Sequence, residues 1–244
     1  MRWALAVMGC ALSSMSMAAD VELFDRNSGQ IVSTYRHAGK LYAAGEPGHE
    51  YEIRIRNDAR DRILAVTTVD GVNVITGQTG AMSQSGYVVD PYETTRVEGW
   101  RKSMSHTAAF YFTKLPDSYA ARTGRPDNVG VIGIALFREK VTCCRDELER
   151  QSANEFSSGT SPDARRSEAP ATRSKAESKL GTGHGRTEYS TARYAEFERA
   201  STTPFQTVVI YYDSFRNLQA AGIVPRPKAV ASRPNPFPGF VPDP

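Results

Sequence analysis

Residues 63–75 read Ile-Leu-Ala-Val-Thr-Thr-Val-Asp-Gly-Val-Asn-Val-Ile, and this stretch decides the fold class. Two runs rich in β-branched residues, 63–69 and 72–75, flank the dipeptide Asp70-Gly71. Asp and Gly both tolerate the positive φ angles of a type I′ turn, which suits a two-residue hairpin connection. The stretch therefore predicts a β-hairpin. The turn explains Asp70 fully, without a catalytic role.

Strand patterns continue on both sides of this hairpin. Residues 51–57 alternate strictly, with Tyr51, Ile53 and Ile55 on one face and two arginines on the other, as in a strand with one buried and one wet face. Further strands are predicted at residues 31–36, 40–44, 86–89, 94–100, 107–113 and 129–138, and long loops at 77–85 and 116–128. This succession predicts a mainly β protein, an antiparallel β-sandwich of immunoglobulin- or jelly-roll-like type.

The strand predicted at residues 129–138 differs from the others because it is apolar almost throughout. Such a run is typical of a central strand that is covered on both faces. Gly130 and Gly133 would let neighbouring groups approach it closely.

Residues 146–179 have a different composition, rich in Ser, Ala, Arg and Glu, with Leu148 and Phe156 as the main large apolar side chains. Such a segment cannot bury enough apolar surface to offset the entropy of ordering. We therefore predict a disordered linker between a sandwich core at residues 20–145 and the elements that follow.

Residues 180–224 are predicted to add two strands and one short helix to the same domain, because so few elements are not stable alone. Residues 186–199 are predicted to be extended and 207–213 to form a strand. The helix is predicted at residues 214–221, capped by its first serine and ended by Gly222. Residues 225–244 contain seven prolines and are predicted to form an extended tail.

Residues 1–18 predict a secretory signal peptide. One arginine precedes the uncharged run 3–12, which is too short to span a membrane. Small residues then favour cleavage after Ala18, with cleavage after Ala19 as the alternative. A less favoured alternative is a lipoprotein signal, in which Cys10 would carry the lipid. The mature protein is accordingly predicted to be exported, either periplasmic or secreted.

The charge and cysteine content limit the classes of partner and cofactor. The formal net charge is +3, with basic and acidic residues interspersed, so nucleic-acid binding is not predicted. No later run is long and apolar enough to predict a transmembrane segment. Cys143 and Cys144 are interpreted first as thiols at a strand end, then as an intermolecular disulfide that forms a dimer, and last as metal ligands. No cofactor is predicted.

The motif Gly181-Thr-Gly-His184-Gly-Arg186 attracts most chemical interest, because it would present an imidazole and a guanidinium on a flexible loop. A phosphate-binding loop needs a following helix, and here a strand pattern follows. A catalytic histidine needs a nucleophile and an orienting carboxylate, and no nucleophile motif is present. We therefore favour a structural turn, and keep ligand or partner contact by His184 and Arg186 as the functional alternative.

Two other places could contact a partner. Trp100 and Arg101 end a predicted strand, where the tryptophan more often packs on the sandwich rim than in an exposed patch. Tyr211-Tyr212-Asp213 puts one tyrosine on each side of a strand, so we expect at least one exposed aromatic, and Tyr212 and Asp213 are kept as candidate contacts.

The motifs YEIRIRN, VTTVDGVNVITGQ, QSGYVVDPYETTRVEGWRKS, AAFYFT, SYAARTG, GVIGIALF, LGTGHGR and YYDS follow one another in this order. This succession resembles a family of exported proteobacterial-type proteins with no assigned activity. The resemblance covers about residues 51–140 and 180–225. It implies no substrate or site residue, but it implies that the two ordered segments form one unit.

Three functional hypotheses follow from the sequence. We prefer an exported cell-envelope binding or assembly module without enzymatic activity, whose partner is a protein or a glycan. The alternative is an anion-binding or hydrolytic enzyme that uses the glycine-rich His184 loop. The third is a secreted structural component that assembles through edge strands.

Overall fold

The computed structural model describes residues 19–141 and 179–225. The predicted signal peptide, the Cys143-Cys144 pair, nearly all of the linker and nearly all of the proline-rich tail lie outside these residues. The described part is mainly β, with strands arranged in two sheets. The prediction of a β-sandwich is therefore confirmed.

Sheet A consists of seven strands. They are β1 (Ala19–Asp25), β2 (Gln30–Ile31), β5 (Glu50–Asn57), β9 (Thr94–Val97), β10 (Gly99–Arg101), β11 (His106–Lys114) and β13 (Leu180–Tyr189). β5 pairs with β1 along one side, and with β9 and β11 along the other. β13 pairs with β11 on the side opposite to β10 and β5.

Sheet B also consists of seven strands. They are β3 (Thr34–His37), β4 (Lys40–Gly45), β6 (Ile63–Val69), β7 (Val72–Asn73), β8 (Tyr87–Val89), β12 (Val131–Arg138) and β14 (Gln206–Ser214). β14 lies between β4 and β12. Its pairing with β4 is parallel, so the expectation of a purely antiparallel sandwich is wrong at this pair.

The predicted hairpin and its type I′ turn are both confirmed. Asp70 and Gly71 have φ angles of 53° and 74°, and Val69 pairs with Val72 across the turn. Positive φ at both central positions is the signature of the type I′ turn. The predicted central strand is also confirmed, since β12 pairs with β6 on one side and β14 on the other.

The main core lies between the two sheets and contains large side chains from both. Tyr51 of sheet A stacks on Phe112 and Phe110, with ring centroids 4.3 Å and 5.3 Å apart. Ile132, Ile134 and Leu136 of β12 and Tyr212 of β14 are fully buried from the opposite side.

The segment that includes Gly181, Gly183 and Gly185 is predicted from the sequence to be a flexible loop or turn. The structure corrects this prediction, because the segment forms the first part of β13. Its glycines are explained by close packing. A Cβ at Gly183 would lie 2.2 Å from Cζ of Tyr111, and one at Gly185 would lie 2.7 Å from the carbonyl oxygen of Ala109. The absence of side chains lets neighbouring groups lie directly against the strand.

Two short α-helices accompany the sheets. α2 (Phe215–Ala220) confirms the predicted helix: the Ser214 side chain accepts a hydrogen bond from the Asn217 N–H, and Gly222 has a φ angle of 73°. α1 (Tyr119–Arg122) lies in the segment predicted as a long loop, between 3-10 helices at Leu115–Asp117 and Pro126–Asn128. Of the segment predicted to be extended over residues 186–199, the first part belongs to β13, which ends at Tyr189, and Arg199 forms an isolated β-bridge with Glu139.

Candidate functional site

Four buried polar side chains meet between the sheets, and we call them the Asp70 cluster: Asp70, Tyr212, Thr182 and Tyr51. The Tyr212 hydroxyl donates to Oδ1 of Asp70 at 2.5 Å. The backbone N–H groups of Gly130 and Thr182 donate to Oδ1 and Oδ2 of Asp70, each at 2.9 Å. Oγ1 of Thr182 lies 2.7 Å from the hydroxyls of both Tyr51 and Tyr212. The cluster therefore links sheet A to sheet B.

Burial governs the ionisation of this cluster. It raises the pKa of Asp70, although the hydrogen bonds from Tyr212, Thr182 and Gly130 lower it. Burial and the nearby Asp70 also raise the pKa values of Tyr51 and Tyr212 well above 10.0. Asp70 and Tyr212 are each 1% exposed, so neither can touch a substrate in this conformation. Our interpretation of Asp70 as a turn residue alone was incomplete, because its carboxylate also joins the sheets.

His184 lies beside aromatic rings and positive charges. Its ring centroid is 5.5 Å from that of Tyr119, which is 4.8 Å from Trp100. Burial lowers the pKa of His184, and Lys102 and Arg122 lower it further. Among the described residues, no side-chain carboxylate or hydroxyl forms a hydrogen bond with the imidazole. The surroundings therefore favour neutral imidazole and do not assemble a catalytic triad.

Trp100 and Arg101 are both held within the fold. Trp100 is 4% exposed, and its indole Nε1 donates to the Gly183 carbonyl at 3.3 Å, so it belongs to the core and not to an exposed patch. The Arg101 guanidinium donates to the Ser190 carbonyl at 2.5 Å and to the Tyr87 hydroxyl at 3.1 Å. The first bond attaches the chain after β13 to β10, and the second joins β10 to β8.

Arg186 is also paired within the chain. Its Nε and one terminal nitrogen donate to the two carboxylate oxygens of Glu50 at 2.8 Å and 2.9 Å. A second contact, at 3.1 Å, joins Arg186 to Glu188, which itself forms a bidentate pair with Arg26. The Arg186 guanidinium therefore belongs to a network of ion pairs with Glu50 and Glu188 and is already neutralised by carboxylates of the chain.

The outward tyrosine of β14 is Tyr211 and not Tyr212. Tyr212 points into the core, whereas Tyr211 is half-buried on the outer face of sheet B. Asp213, the other candidate contact, accepts hydrogen bonds from the Leu180 backbone N–H at 3.2 Å and from Nδ2 of Asn217 at 2.8 Å. Asp213 thus connects the start of β13 with α2.

Three tyrosines form a row on the outer face of sheet B, and we call this row the tyrosine face: Tyr35 on β3, Tyr42 on β4 and Tyr211 on β14. Tyr42 lies directly opposite Tyr35 on one side and Tyr211 on the other. The ring centroids of Tyr42 and Tyr211 are 5.6 Å apart, and Nζ of Lys40 lies 5.0 Å from the Tyr211 centroid. Val131 of β12 continues the row.

The neighbouring row of this face carries small or aliphatic residues. Val209 is 39% exposed and lies opposite Gly133, which has no side chain. Within the described residues, none of the three tyrosines, Val209 or Val131 belongs to either buried hydrophobic cluster. The result is a strip of half-buried aromatic and aliphatic groups across four adjacent strands, with Val209 exposed beside it.

The other half of the same outer face is covered by the chain itself. Phe197 packs there, and the Arg199 guanidinium lies 4.2 Å from the Phe137 ring centroid. Arg199 also donates to the carbonyls of Met82 and Gln84 at 2.7 Å and 2.6 Å. The residues buried beneath this cover are Leu64, Val66, Ala135 and Phe137. The tyrosine face is the part of this outer surface that the cover leaves open.

A shallow depression of about 300 Å³ lies on the outer face of sheet A. Its charges are balanced by close pairs, since Nε of Arg54 lies 2.7 Å from a Glu52 carboxylate oxygen and Nε of Arg56 lies 3.1 Å from Asp58. It therefore lacks the unbalanced positive field that would favour an anion. The depression is lined by Asp20, Glu22, Arg54, Arg56, Thr94 and Arg96.

Within residues 19–141 and 179–225, no three His, Cys, Asp or Glu side chains are grouped so that they could hold a metal ion. The same part of the chain contains no helix that is both long and apolar enough to cross a membrane. In comparisons with known proteins, no family model, curated protein or solved structure matches the chain.

Proposed function

We propose that this chain is an exported binding or assembly module of the cell envelope, without enzymatic activity, and that it engages a protein or glycan partner through the tyrosine face. The export rests on the signal-peptide pattern of residues 1–18 and on the family resemblance. The observation that supports the binding surface is the open row of Tyr35, Tyr42 and Tyr211 on a sheet face whose other half is covered.

Tyrosine is well suited to such a surface. Its ring supplies a large apolar area with few rotatable bonds, and its hydroxyl can form a hydrogen bond with the partner. Aromatic residues are enriched where protein interfaces are fully buried. Because Tyr42 and Tyr211 lie on adjacent strands of a rigid sheet, little conformational entropy is lost when a partner covers them.

The direct test is a pull-down from envelope fractions with the full mature chain and its Tyr42→Thr/Tyr211→Thr variant. Threonine removes the rings but keeps a high β propensity, so the strands should persist. We expect the variant to lose the partners captured by the original protein. The matched control is Tyr189→Thr/Tyr194→Thr, which removes two tyrosines that are 74% and 91% exposed elsewhere on the molecule.

Thermal unfolding should accompany each pull-down, to confirm that both double variants remain folded. An unchanged partner set for a folded Tyr42→Thr/Tyr211→Thr variant would contradict the proposed surface. Equal loss in both double variants would also contradict it, because binding would then depend on exposed tyrosines in general.

Anion binding near His184 is the second candidate, favoured by the two cations that act on the imidazole, Lys102 and Arg122. It predicts that inorganic phosphate raises the pKa of His184, measured by NMR titration, because a bound anion favours the imidazolium. Under the preferred proposal, phosphate leaves this pKa unchanged and His184→Gln captures the same partners as the original chain.

A further inference from the structure

We infer that the chain forms a two-fold dimer through the outer edge of β13, with Arg186 of one copy opposite Glu188 of the other. This inference goes beyond the proposed function, because it assigns a second copy of the chain to a surface of sheet A and not to the tyrosine face. It is carried by the free backbone groups of this edge and by the order of its charges.

The second half of β13 is an open sheet edge. Among the described residues, β13 pairs with β11 alone. At the start of the strand, the Thr182 N–H donates to the Asp70 carboxylate of the other sheet, so this part of the outer edge is occupied. For residues 185–189, no backbone hydrogen bond to an element other than β11 is found in the described part of the chain. The open edge therefore consists of residues 185–189.

The hydrogen bonds around this edge show which of its peptide groups face outward. The Ser190 N–H donates to the Ser105 carbonyl at 2.9 Å, next to the β11 ladder. Residues along an antiparallel ladder alternate between hydrogen-bonded and non-hydrogen-bonded pairs. The peptide groups of Glu188 therefore bond to β11, while the N–H and C=O groups of Thr187 and Tyr189 face away from it.

Such outward groups are a template for a further strand. A strand that lies antiparallel to this edge would exchange two backbone hydrogen bonds with Thr187. Thr187 and Tyr189 both have a high β propensity, and β13 contains no proline that would block the added strand. The backbone of this edge is therefore suited to strand pairing.

The charges of the edge select the occupant. Arg186 and Glu188 lie on the same face of β13, with a terminal nitrogen and a carboxylate oxygen 3.1 Å apart. In an antiparallel pair, opposite charges that lie directly across from each other are stabilising. A matching strand thus needs an acid opposite Arg186 and a base opposite Glu188. The sequence Arg186-Thr187-Glu188, taken in the reverse direction, supplies both. A second copy therefore matches this edge when the two Thr187 residues lie opposite each other.

The adjacent register is less favourable. It would pair Thr187 with Tyr189 of the partner subunit and would place the two Glu188 side chains directly opposite each other. Like charges in this position destabilise a strand pair. The order of the charges therefore favours one register as well as one partner.

Arg186 has an unused donor for the second copy. Its Nε and one terminal nitrogen bind Glu50 and Glu188 within the chain. Within the described residues its other terminal nitrogen contacts no acceptor, and the side chain is 59% exposed. Glu188 is held in place by Arg26, whose guanidinium lies 2.7 Å from it. Dimer formation would therefore extend a network of ion pairs that each copy already contains.

The dimer should be reversible and sensitive to salt. The open edge is short compared with the roughly 20–30 residues a side of a stable interface, so we expect weak association. Salt screens partly exposed charges, so added salt should shift the equilibrium toward the monomer.

The test is sedimentation velocity of the full mature chain at concentrations up to about 500 μM, a range in which weak interfaces associate, together with amide hydrogen exchange. We expect a monomer–dimer equilibrium in which protection of the Thr187 amide rises with protein concentration. The Glu188 amide is the internal control. Because it already bonds to β11, its protection should not depend on concentration.

Thr187→Pro removes the outward N–H without removing a bond to β11, and it should abolish the dimer. Thr187→Val is the matched control, since both variants lose the hydrogen bond from Nζ of Lys102 to the Thr187 hydroxyl, but valine keeps the N–H. It should dimerise like the original chain.

Arg186→Glu should raise the dissociation constant of the dimer about tenfold or more, because it places carboxylates opposite each other at two symmetric positions. Thermal unfolding should confirm that each variant remains folded.

A chain that stays monomeric at the highest concentration would overturn the inference. A dimer that persists in folded Thr187→Pro, or that dissociates in Tyr42→Thr/Tyr211→Thr, would also overturn it, because the interface would then lie elsewhere. A dimer that is insensitive to Arg186→Glu would show that these charges do not select the partner, and the inference would fail on that count as well.

Discussion

The Tyr212 hydroxyl donates to Oδ1 of Asp70 at 2.5 Å, and this contact joins β14 to the turn between β6 and β7. The two residues are 142 positions apart in the chain. The same carboxylate accepts the Thr182 N–H from the opposite sheet. One buried acid therefore connects three distant segments, and its removal should affect the stability of the whole sandwich.

Asp70→Asn should destabilise the protein by about 2 kcal/mol, because an amide has only one acceptor oxygen and a buried N–H or hydroxyl is left without a partner. Urea denaturation gives the free energy of unfolding. Asp117→Asn, at an exposed position of a 3-10 helix, is the control and should change it little. Equal stability of the two variants would show that the Asp70 carboxylate does not hold the sheets together.

Stability should decline above about pH 10, where the phenols of the unfolded chain ionise. Tyr51 and Tyr212 have raised pKa values in the folded protein, so they keep their protons there after the unfolded chain has lost them. Their contribution to the free energy of unfolding is complete below the pKa of tyrosine in the unfolded chain, and it is lost as the pH rises above that value. Urea midpoints between about pH 9 and about pH 11 should fall less steeply for Tyr212→Phe. Parallel curves would contradict this assignment.

Gly183→Ala should destabilise the protein by about 1–3 kcal/mol, because the new methyl group would overlap the Tyr111 ring. A double-mutant cycle with Tyr111→Val tests the cause. We expect the cost of the alanine to be smaller when the ring is absent, as measured by urea denaturation. Strictly additive effects would mean that the glycine serves another purpose.

The mature chain is expected to begin at Ala19. Ala19 is fully buried, and its carbonyl accepts a hydrogen bond from Nε2 of Gln206 at 3.1 Å. Cleavage after Ala18 keeps this residue, whereas cleavage after Ala19 removes it from the start of β1. Intact mass and N-terminal sequencing of the exported protein distinguish the two. A chain that begins at Asp20 would contradict the expectation. A chain that carries a lipid on Cys10 would contradict cleavage at either position.

Local chemistry explains which parts of the fold could be predicted. The turn at Asp70-Gly71, the alternation around Ile53 and the serine cap at Ser214 each depend on neighbours in sequence. Such features are visible as short patterns. The resulting elements agree closely with the structure.

The features that escaped prediction depend on distant partners. Gly183 indicated a loop because nothing nearby in the sequence shows that the Tyr111 ring lies against it. Tyr35 and Tyr42 gave no signal as a site, because their alignment with Tyr211 requires the parallel pairing of β4 with β14. The sequence shows that Tyr211 and Tyr212 lie on opposite faces of their strand. It does not show which of the two faces packs against the core, so it cannot tell which ring points outward.

The position of β14 also bears on the order of folding. β14 is the last strand within the described residues and is inserted between β4 and β12, so the β3–β4 hairpin has no described neighbour in sheet B until β14 arrives. Contacts of such long sequence separation slow folding, because a large loop must close before they form. Most of the chain must therefore be synthesised before sheet B can be completed. A chain that crosses a membrane unfolded would benefit from this delay.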